Sequence, residues 1–184
     1  KIKHLGLSEI INGRLIQRVH PCLISKESRL SNVNGVLNAV IIEGKPVGKS
    51  VLQGEGAGPG PTTSALVSDI CSVLRGNIKY PFSMSVSKRK KIKSADLSNK
   101  IFSSYIRLDV IDKKGVLSEI TKLMSKNKIS VKRLIQNPLK QKKYASIIMI
   151  SHKSKDKNLK KCINSLSKKN FIVSKPKFIR IEEI

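Results

Sequence analysis

The alternation of apolar and polar residues is clearest in residues 103–184, where strand-like and helix-like segments follow one another. Short β-type apolar runs predict four strands, at 105–111, 129–135, 145–150 and 171–181. Between these runs, apolar residues recur at helical spacing and predict two amphipathic helices: Val116, Leu117, Ile120, Leu123 and Met124 in the first, and Leu159, Cys162, Ile163 and Leu166 in the second. The order βαββαβ predicts a ferredoxin-like sandwich.

The first 55 residues show β-type patterns interrupted by turn residues. Four apolar runs predict four strands of one mixed sheet, at 2–11, 14–20, 36–43 and 47–52. Asn12-Gly13 favours a tight hairpin turn between the first two strands, and Gly44-Lys45-Pro46 predicts the turn between the last two. Residues 21–25 are predicted to lead off the sheet, and residues 26–34 to form a polar crossing with a short helical turn.

A glycine-rich loop and a helix follow the fourth strand. Glycines stand at 54, 56, 58 and 60, and prolines at 59 and 61 stiffen the loop. Apolar residues then recur at helical spacing and predict a helix with one buried face: Ala65, Leu66, Ile70, Val73 and Leu74. Thr62, Thr63 and Ser64 are candidate N-caps, and Arg75-Gly76 is a typical helix end.

Glycines at a strand-to-helix turn allow backbone amides to approach a ligand, and a helix N-terminus favours an anion. This is the physics of a phosphate or dinucleotide contact. The spacing is not the Rossmann fingerprint G-x-G-x-x-G, because Pro59 stands where the last glycine would be. The pattern alone leaves both a plain tight turn and a cofactor contact open.

Residues 1–80 resemble the C-terminal part of homoserine dehydrogenases. Gly54-Glu55-Gly56-Ala57-Gly58 is similar to the loop through which a strand of that family's substrate domain returns to a helix of its nucleotide domain. Shorter family motifs precede it in the expected order: Arg18-Val19-His20-Pro21, Leu30-Ser31-Asn32-Val33-Asn34-Gly35-Val36, Asn38-Ala39, Glu43-Gly44 and Val47-Gly48.

This resemblance implies the interconversion of L-homoserine and L-aspartate 4-semialdehyde with NAD or NADP, on the route to threonine, isoleucine and methionine. Gly58 matches the family's cofactor-contacting glycine, and Gly54, Gly56 and Thr62 are further candidates. The family's catalytic lysine and aspartate, its sodium site and its main Rossmann fingerprint lie upstream of the sequence, which opens on Lys1 rather than Met. We therefore expect a fragment that contains no catalytic residue and is inactive alone.

Residues 103–184 resemble an ACT domain, the amino-acid-sensing module. The resemblance is carried by Tyr105-Ile-Arg-Leu, by Asp112-Lys-Lys-Gly115-Val-Leu, and by Ile129-Ser-Val with Leu134-Ile-Gln136. In that family, ligands bind where the first strand meets the first helix, usually between paired domains. This implies an effector site at Asp112, Gly115, Val116 and Leu117, with threonine as the expected effector and a homo-oligomer formed through the ACT domain. The family more often has Arg-Pro-Gly where this chain has Lys113-Lys114-Gly115, so a degenerate unit that only dimerises is the alternative.

The net charge of +25 raises the possibility of a nucleic-acid partner. Most of the excess is lysine, whereas guanine readers depend on arginine, and stacking aromatics make up only 4% of the sequence. We therefore expect solvated lysine faces and no nucleic-acid partner. The alternative is a stand-alone ACT-type regulatory or basic nucleic-acid-binding module.

Other chemistry is sparse. His20 precedes a proline at a strand end, where a structural role is favoured over a catalytic base. His4 and His152 have no neighbours at metal-ligand spacing, so we expect no metal site. Three scattered cysteines, without C-x-x-C spacing, suit a reducing compartment, and no apolar run approaches the about 20 residues of a membrane span. We expect a cytoplasmic protein without a membrane partner.

The predicted fold class is α/β (α+β). Residues 1–82 are expected to form the C-terminal part of a mixed-sheet dehydrogenase substrate domain with its return helix. Residues 83–102, rich in serine and lysine, are predicted to be a linker, because such a composition buries little. Residues 103–184 are expected to form the ferredoxin-like ACT domain.

Overall fold

The computed structural model describes residues 1–77, 83–138 and 143–184, which contain the following elements in chain order. They are β1 (Ile2–Ile11), β2 (Arg14–Leu23), β3 (Leu37–Gly44), β4 (Gly48–Glu55), α1 (Pro59–Leu74), β5 (Ile101–Ile111), α2 (Val116–Lys126), β6 (Val131–Pro138), β7 (Tyr144–Ser151), β8 (Ser154–Lys155), α3 (Asp156–Leu166) and β9 (Lys177–Ile181). The predicted order βαββαβ after residue 100 is confirmed, with the two-residue β8 as an addition. Tyr80, Pro81 and Phe82 lie outside the described residues.

The chain divides into two units. The first combines Lys1–Lys26 with Ile92–Ile184, and the second is Glu27–Lys91. The first unit has a sheet of strand order β1-β2-β9-β5-β7-β6, with β8 also paired to β5. The sequence predicted β1 and β2 in one sheet with β3 and β4, but β3 and β4 form a separate two-stranded sheet. The domain boundaries at 82 and 103 stay a prediction. The structure adds that β2 of the first predicted domain pairs with β9 of the last.

The core of the first unit follows from the alternation that the sequence shows. In β5, every second residue is buried, including Ile106, Leu108 and Val110. Helices α2 and α3 each contribute one apolar stripe to the same core: Val116, Ile120 and Met124 from α2, and Leu159, Cys162 and Leu166 from α3. Their opposite faces are rich in lysine, as expected for a solvated helix surface.

Strand β2 is longer than predicted and does not leave the sheet at Pro21. Cys22 and Leu23 pair in parallel with Arg180 and Ile181 of β9, and Cys22 is fully buried. The prediction that residues 21–25 lead off the sheet is therefore wrong for residues 21–23, and the chain leaves the strand after Leu23. A proline lacks an N–H donor but is tolerated in a strand where that donor has no partner, so Pro21 does not end β2.

The predicted linker also contacts the sheet. The amide of Leu15 donates to the carbonyl of Lys93 at 3.0 Å, and the amide of Ala95 donates to the carbonyl of Leu15 at 2.8 Å. Phe102 is only 4% exposed. Residues 92–102 therefore belong to the first unit through backbone pairing and one buried aromatic side chain, which a composition argument does not detect.

In the second unit, the short helical turn predicted within residues 26–34 is confirmed as a 3-10 helix at Arg29–Asn32. The β3–β4 hairpin and the helix end at Arg75-Gly76 are also confirmed. The predicted N-caps are wrong, since Gly58 caps α1 and the helix begins at Pro59. Proline is favoured in a first turn, where its missing N–H would have no helical partner. The predicted buried face of α1 is exposed in this chain: Leu66 is 58% and Val73 is 60% exposed.

Candidate functional site

The glycine-rich loop connects β4 to α1 and is fixed by short backbone contacts within the second unit. Gly54 lies near the end of β4 and pairs with Asn38 of β3. The amide of Gly56 donates to the carbonyl of Val36 at 3.1 Å. Gly58 then turns the chain into α1 with a φ of +121°, a backbone conformation that residues other than glycine rarely adopt.

The loop glycines differ in what a side chain would meet. A Cβ at Gly56 would collide with the Asn38 side chain, whose Nδ2 donates to the carbonyl of Val36 at 3.2 Å. A Cβ at Gly58 would lie at an ordinary 3.6 Å from Pro61, so the left-handed φ is what requires glycine there. A Cβ at Gly54 would meet open space. Only Gly58 therefore requires glycine for its backbone conformation, whereas a side chain at Gly56 would have to displace the exposed Asn38 side chain.

The first turn of α1 suits an anion but offers few donors. It carries no acidic side chain, so the helix dipole is unopposed. Pro59 and Pro61 have no N–H, and the amide of Thr62 donates to the carbonyl of Gly58 at 3.2 Å. The amides of Gly58 and Gly60 therefore remain as the donors of this turn. Such a site can contact one phosphate from its backbone without a charged side chain.

The second predicted site, at the end of β5, is an ordered loop. The amide of Asp112 donates to the carbonyl of Lys143 at 2.8 Å, and the Asp112 carboxylate accepts a hydrogen bond from Gln136 of β6 at 3.3 Å. Gly115, with a φ of +88°, caps α2. Asp112 thus precedes Gly115, the N-cap of α2, by three residues in the same loop.

Val116 and Leu117 differ in what they can offer at this loop. The Val116 side chain belongs to the core, and its amide donates to the carbonyl of Lys113 at 3.3 Å. Leu117 is 37% exposed. The structure therefore leaves Asp112, Gly115 and Leu117 accessible as effector contacts and shows Val116 as a supporting residue. The assignment of all four as effector residues stays a prediction.

The structure also shows a charged cluster that was not predicted from the sequence. Arg18 of β2, with a 7% exposed side chain, forms ion pairs with Glu9 and Glu182, and Lys100 pairs with Glu9. Burial opposes the ionisation of Glu9, but hydrogen bonds from Lys100 and Arg18 outweigh it and hold the pKa of this carboxyl below its usual range. Glu9 and Arg18 lie on the two strands of one hairpin, whereas Lys100 and Glu182 are far from them in the sequence, so no local spacing reveals the whole cluster.

His20 belongs to the same region. Its Nε2 lies 3.3 Å from the Glu182 carboxylate, and its Nδ1 lies 3.1 Å from the carbonyl of Pro21. His20 thus lies within β2 beside the charged cluster, and its structural role stays a prediction. In the described parts of the chain, no three His, Cys, Asp or Glu side chains are grouped to hold a metal ion, and no helix has the length and apolarity to cross a membrane.

Comparison with known proteins identifies both halves of the chain. Residues 1–71 match the family model of homoserine dehydrogenase, and residues 104–168 match that of the ACT domain. The first part of the chain is thus similar to a homoserine dehydrogenase segment, and the second part is similar to an ACT domain. The match at 1–71 excludes the interpretation as a stand-alone ACT module.

Curated relatives agree along the whole length. The homoserine dehydrogenase of Helicobacter pylori is 32% identical over 98% of this chain, and that of Neisseria gonorrhoeae is 29% identical over all of it. The crystal structure of a homoserine dehydrogenase from Thiobacillus denitrificans covers 100% of the chain with a TM-score of 0.85 at 28% identity. The chain spans 42% of the length of the first relative and of the Thiobacillus chain, and 44% of the second relative.

Proposed function

We propose that the complete protein is a homoserine dehydrogenase that interconverts L-homoserine and L-aspartate 4-semialdehyde with NAD or NADP, in the cytoplasm. The observation that carries this proposal is the match of residues 1–71 to the family, continued by homoserine dehydrogenases that align with almost the whole chain. The exposed glycine loop with its positive-φ glycine at the start of α1 supports a nucleotide contact in this segment.

Within that reaction, the residues of this chain would bind the cofactor and orient it. A bound nicotinamide cofactor would supply or accept the hydride, and the reaction also needs a proton donor for the developing alkoxide. The amides of Gly58 and Gly60 would hold a phosphate of the cofactor at the N-terminus of α1. Gly56 has no side chain, so its backbone would be accessible to a ligand next to Asn38. None of the residues proposed for the cofactor site is a proton donor for this step.

An assay of homoserine oxidation tests the proposal. Two preparations should be compared, the complete protein and the 184-residue chain, each with NAD and with NADP. We expect turnover with the complete protein and none above the blank with the chain alone. Absence of turnover in the complete, folded protein would contradict the proposed reaction. Turnover by the chain alone would contradict the expectation that its catalytic groups lie elsewhere.

Replacing Gly58 with valine should weaken cofactor binding. A β-branched residue resists a φ of +121°, so the loop must rearrange at a cost of about 1–3 kcal/mol, a range typical of strained backbone sites. The cofactor Kd of the complete protein can be measured by calorimetry. The matched control is Gly54→Ala, which adds a Cβ in open space and should leave the Kd unchanged. An unaltered Kd in a folded Gly58→Val protein would assign the glycine to the turn alone.

We also propose that the ACT domain binds an amino-acid effector, threonine first among the candidates, and contributes to a homo-oligomer. An amino acid carries an ammonium and a carboxylate, so its site needs an acceptor beside donors. The Asp112 carboxylate and the start of α2 at Gly115 supply this combination in one ordered loop. Effector binding at a pairing surface would shift the oligomer between states of unequal affinity.

Threonine should therefore raise the melting temperature of the chain, and Gly115→Val should remove this effect. The control is Gly13→Val, which puts the same side chain at a comparable φ of +71° in the β1–β2 turn. Titration calorimetry with threonine, isoleucine and methionine measures binding directly. If none of the three gives heat or a melting shift at millimolar concentration, the ACT domain serves assembly and not sensing. The whole chain should be used, because residues 1–26 pair with the ACT sheet.

A further inference from the structure

The charged cluster around Arg18 joins elements from both ends of the chain. Arg18 donates through Nε and Nη2 to Glu182, at 3.2 and 3.1 Å, and through Nη1 to Glu9. Lys100, just before β5, donates to the other oxygen of Glu9. The β1–β2 hairpin of the dehydrogenase segment is thereby bound to the residues that precede β5 and follow β9 of the ACT domain.

Phe102 extends this cluster to the next ion pair. Two guanidinium groups lie over its ring, with the Cζ atoms of Arg18 and Arg180 each 5.4 Å from the ring centroid. Arg180 in turn donates to the Asp156 carboxylate at 2.8 Å, and Asp156 is the fully buried first residue of α3. Cation–π contacts gain strength where the cation is desolvated, as it is between these two buried ion pairs.

Backbone pairing holds the hairpin on both sides of this cluster. At one end of β2, Cys22 and Leu23 pair with β9, and the amide of Glu182 donates to the carbonyl of Leu23 at 2.9 Å. At the other end, Leu15 exchanges hydrogen bonds with Lys93 and Ala95. These contacts are few for a strand of ten residues, so the side-chain cluster between them carries a large part of the attachment.

We propose that Arg18, Phe102 and Arg180 act as one coupled relay, through which the β1–β2 hairpin and the start of α3 open and close as a single cooperative unit. Separating the hairpin from the sheet leaves Glu182 without Arg18 and removes one cation from the face of Phe102. A buried charge that loses its partner is strongly unfavourable, so loss of one end of the relay weakens the other. Arg18 is thus a positioning residue that ties the dehydrogenase segment to its regulatory domain, independently of catalysis.

Hydrogen exchange of the 184-residue chain tests the relay, because it resolves local opening. Arg18→Met keeps the length of the side chain and removes its charge. We expect exchange to rise at least tenfold both in the hairpin amides, residues 2–23, and in the amides that begin α3, with no change in β7. The control is Arg14→Met, an exposed arginine on the same strand, which should change neither region. A rise confined to the hairpin, or no rise at all, overturns the proposal.

A double-mutant cycle between Arg18 and Asp156 gives a second, independent readout. If Arg18→Met does not fold, Arg18→Lys takes its place in the cycle. Arg18 and Asp156 do not share an ion pair, so separate local interactions would give additive effects. Each variant changes the equilibrium constant of unfolding by some factor. For the relay, we expect the factor of the double variant, Arg18→Met with Asp156→Asn, to differ at least fivefold from the product of the two single-variant factors. Glu183→Gln with Asp156→Asn is the control, because Glu183 is exposed and pairs with Lys153. Additivity in the first cycle as well as in the control overturns the proposal.

Discussion

Leu108→Ala is expected to lower the free energy of unfolding of the first unit by about 2–5 kcal/mol, the range measured for deleting a large aliphatic side chain from a packed core. Leu108 is fully buried in β5 and pairs with Ile147 of β7, which is also buried. Helices α2 and α3 contribute to the same core, so the cavity has little freedom to collapse. Tyr105 and Tyr144 lie in this unit, and their fluorescence in a urea titration reports its unfolding.

The control for this measurement is the same truncation on α1. Leu66 is 58% exposed in this chain, so Leu66→Ala should change stability by no more than about 0.5 kcal/mol, as surface substitutions usually do. A loss of stability in the first unit comparable to that of Leu108→Ala would show that α1 contributes to its core. A small effect of Leu108→Ala would contradict the assignment of the core to the β5–β7 layer.

The ACT domain was predictable because its pattern is local and its core is complete. The apolar positions of α2 and α3 recur at helical spacing, and buried and partly exposed residues alternate along β5. The buried face of each element can therefore be predicted from its own sequence. All of these faces meet in one core within the chain. Periodicity and packing therefore agree, and the element order follows from the sequence alone.

The second unit shows the opposite case. The apolar residues of α1 have the spacing of a buried face, yet none of the residues of α1 is buried in the structure. The exposed apolar residues of β3 and β4 include Val40, Ile42 and Leu52. Periodicity indicates which face would be buried but not whether this chain contains the surface that covers it. In the same way, the glycine loop was recognisable from sequence, while the φ of Gly58 and the contact between Gly56 and Asn38 required coordinates.

The attachment of the hairpin to the ACT sheet was not predictable for a different reason. Arg18 and Glu182 are separated by 164 positions, and each is unremarkable in its local context. An ion pair depends on two side chains meeting after the backbone has folded, and no periodicity precedes it. Composition was misleading here, because a chain with so many lysines suggests solvated charge everywhere, whereas this cluster is largely removed from water.

Asp156→Ala should cause a loss of stability as large as that of a core truncation, for an electrostatic reason. The Asp156 side chain is 0% exposed and accepts a hydrogen bond from Nε of Arg180 at 2.8 Å. It also forms ion pairs with Nη2 of Arg180 at 2.7 Å and with Nζ of Lys160 at 2.8 Å. Its charge also stands at the start of α3, where a carboxylate opposes the helix dipole favourably. The alanine variant would leave the Arg180 guanidinium, with a 13% exposed side chain, without its carboxylate.

Removing one partner of a buried ion pair typically costs about 3–5 kcal/mol, most of which is the penalty of the charge left behind. The matched control is Glu183→Ala. The side chains of Glu183 and Lys153 are 65% and 60% exposed, so the loss of their ion pair should lower the free energy of unfolding by no more than about 1 kcal/mol. Urea titration of the chain compares the two directly. The double variant Asp156→Ala with Arg180→Met identifies the cause: because it removes the stranded charge, it should recover part of the lost stability. If the double variant is no more stable than Asp156→Ala alone, the loss comes from packing at the start of α3 and not from the unpaired guanidinium.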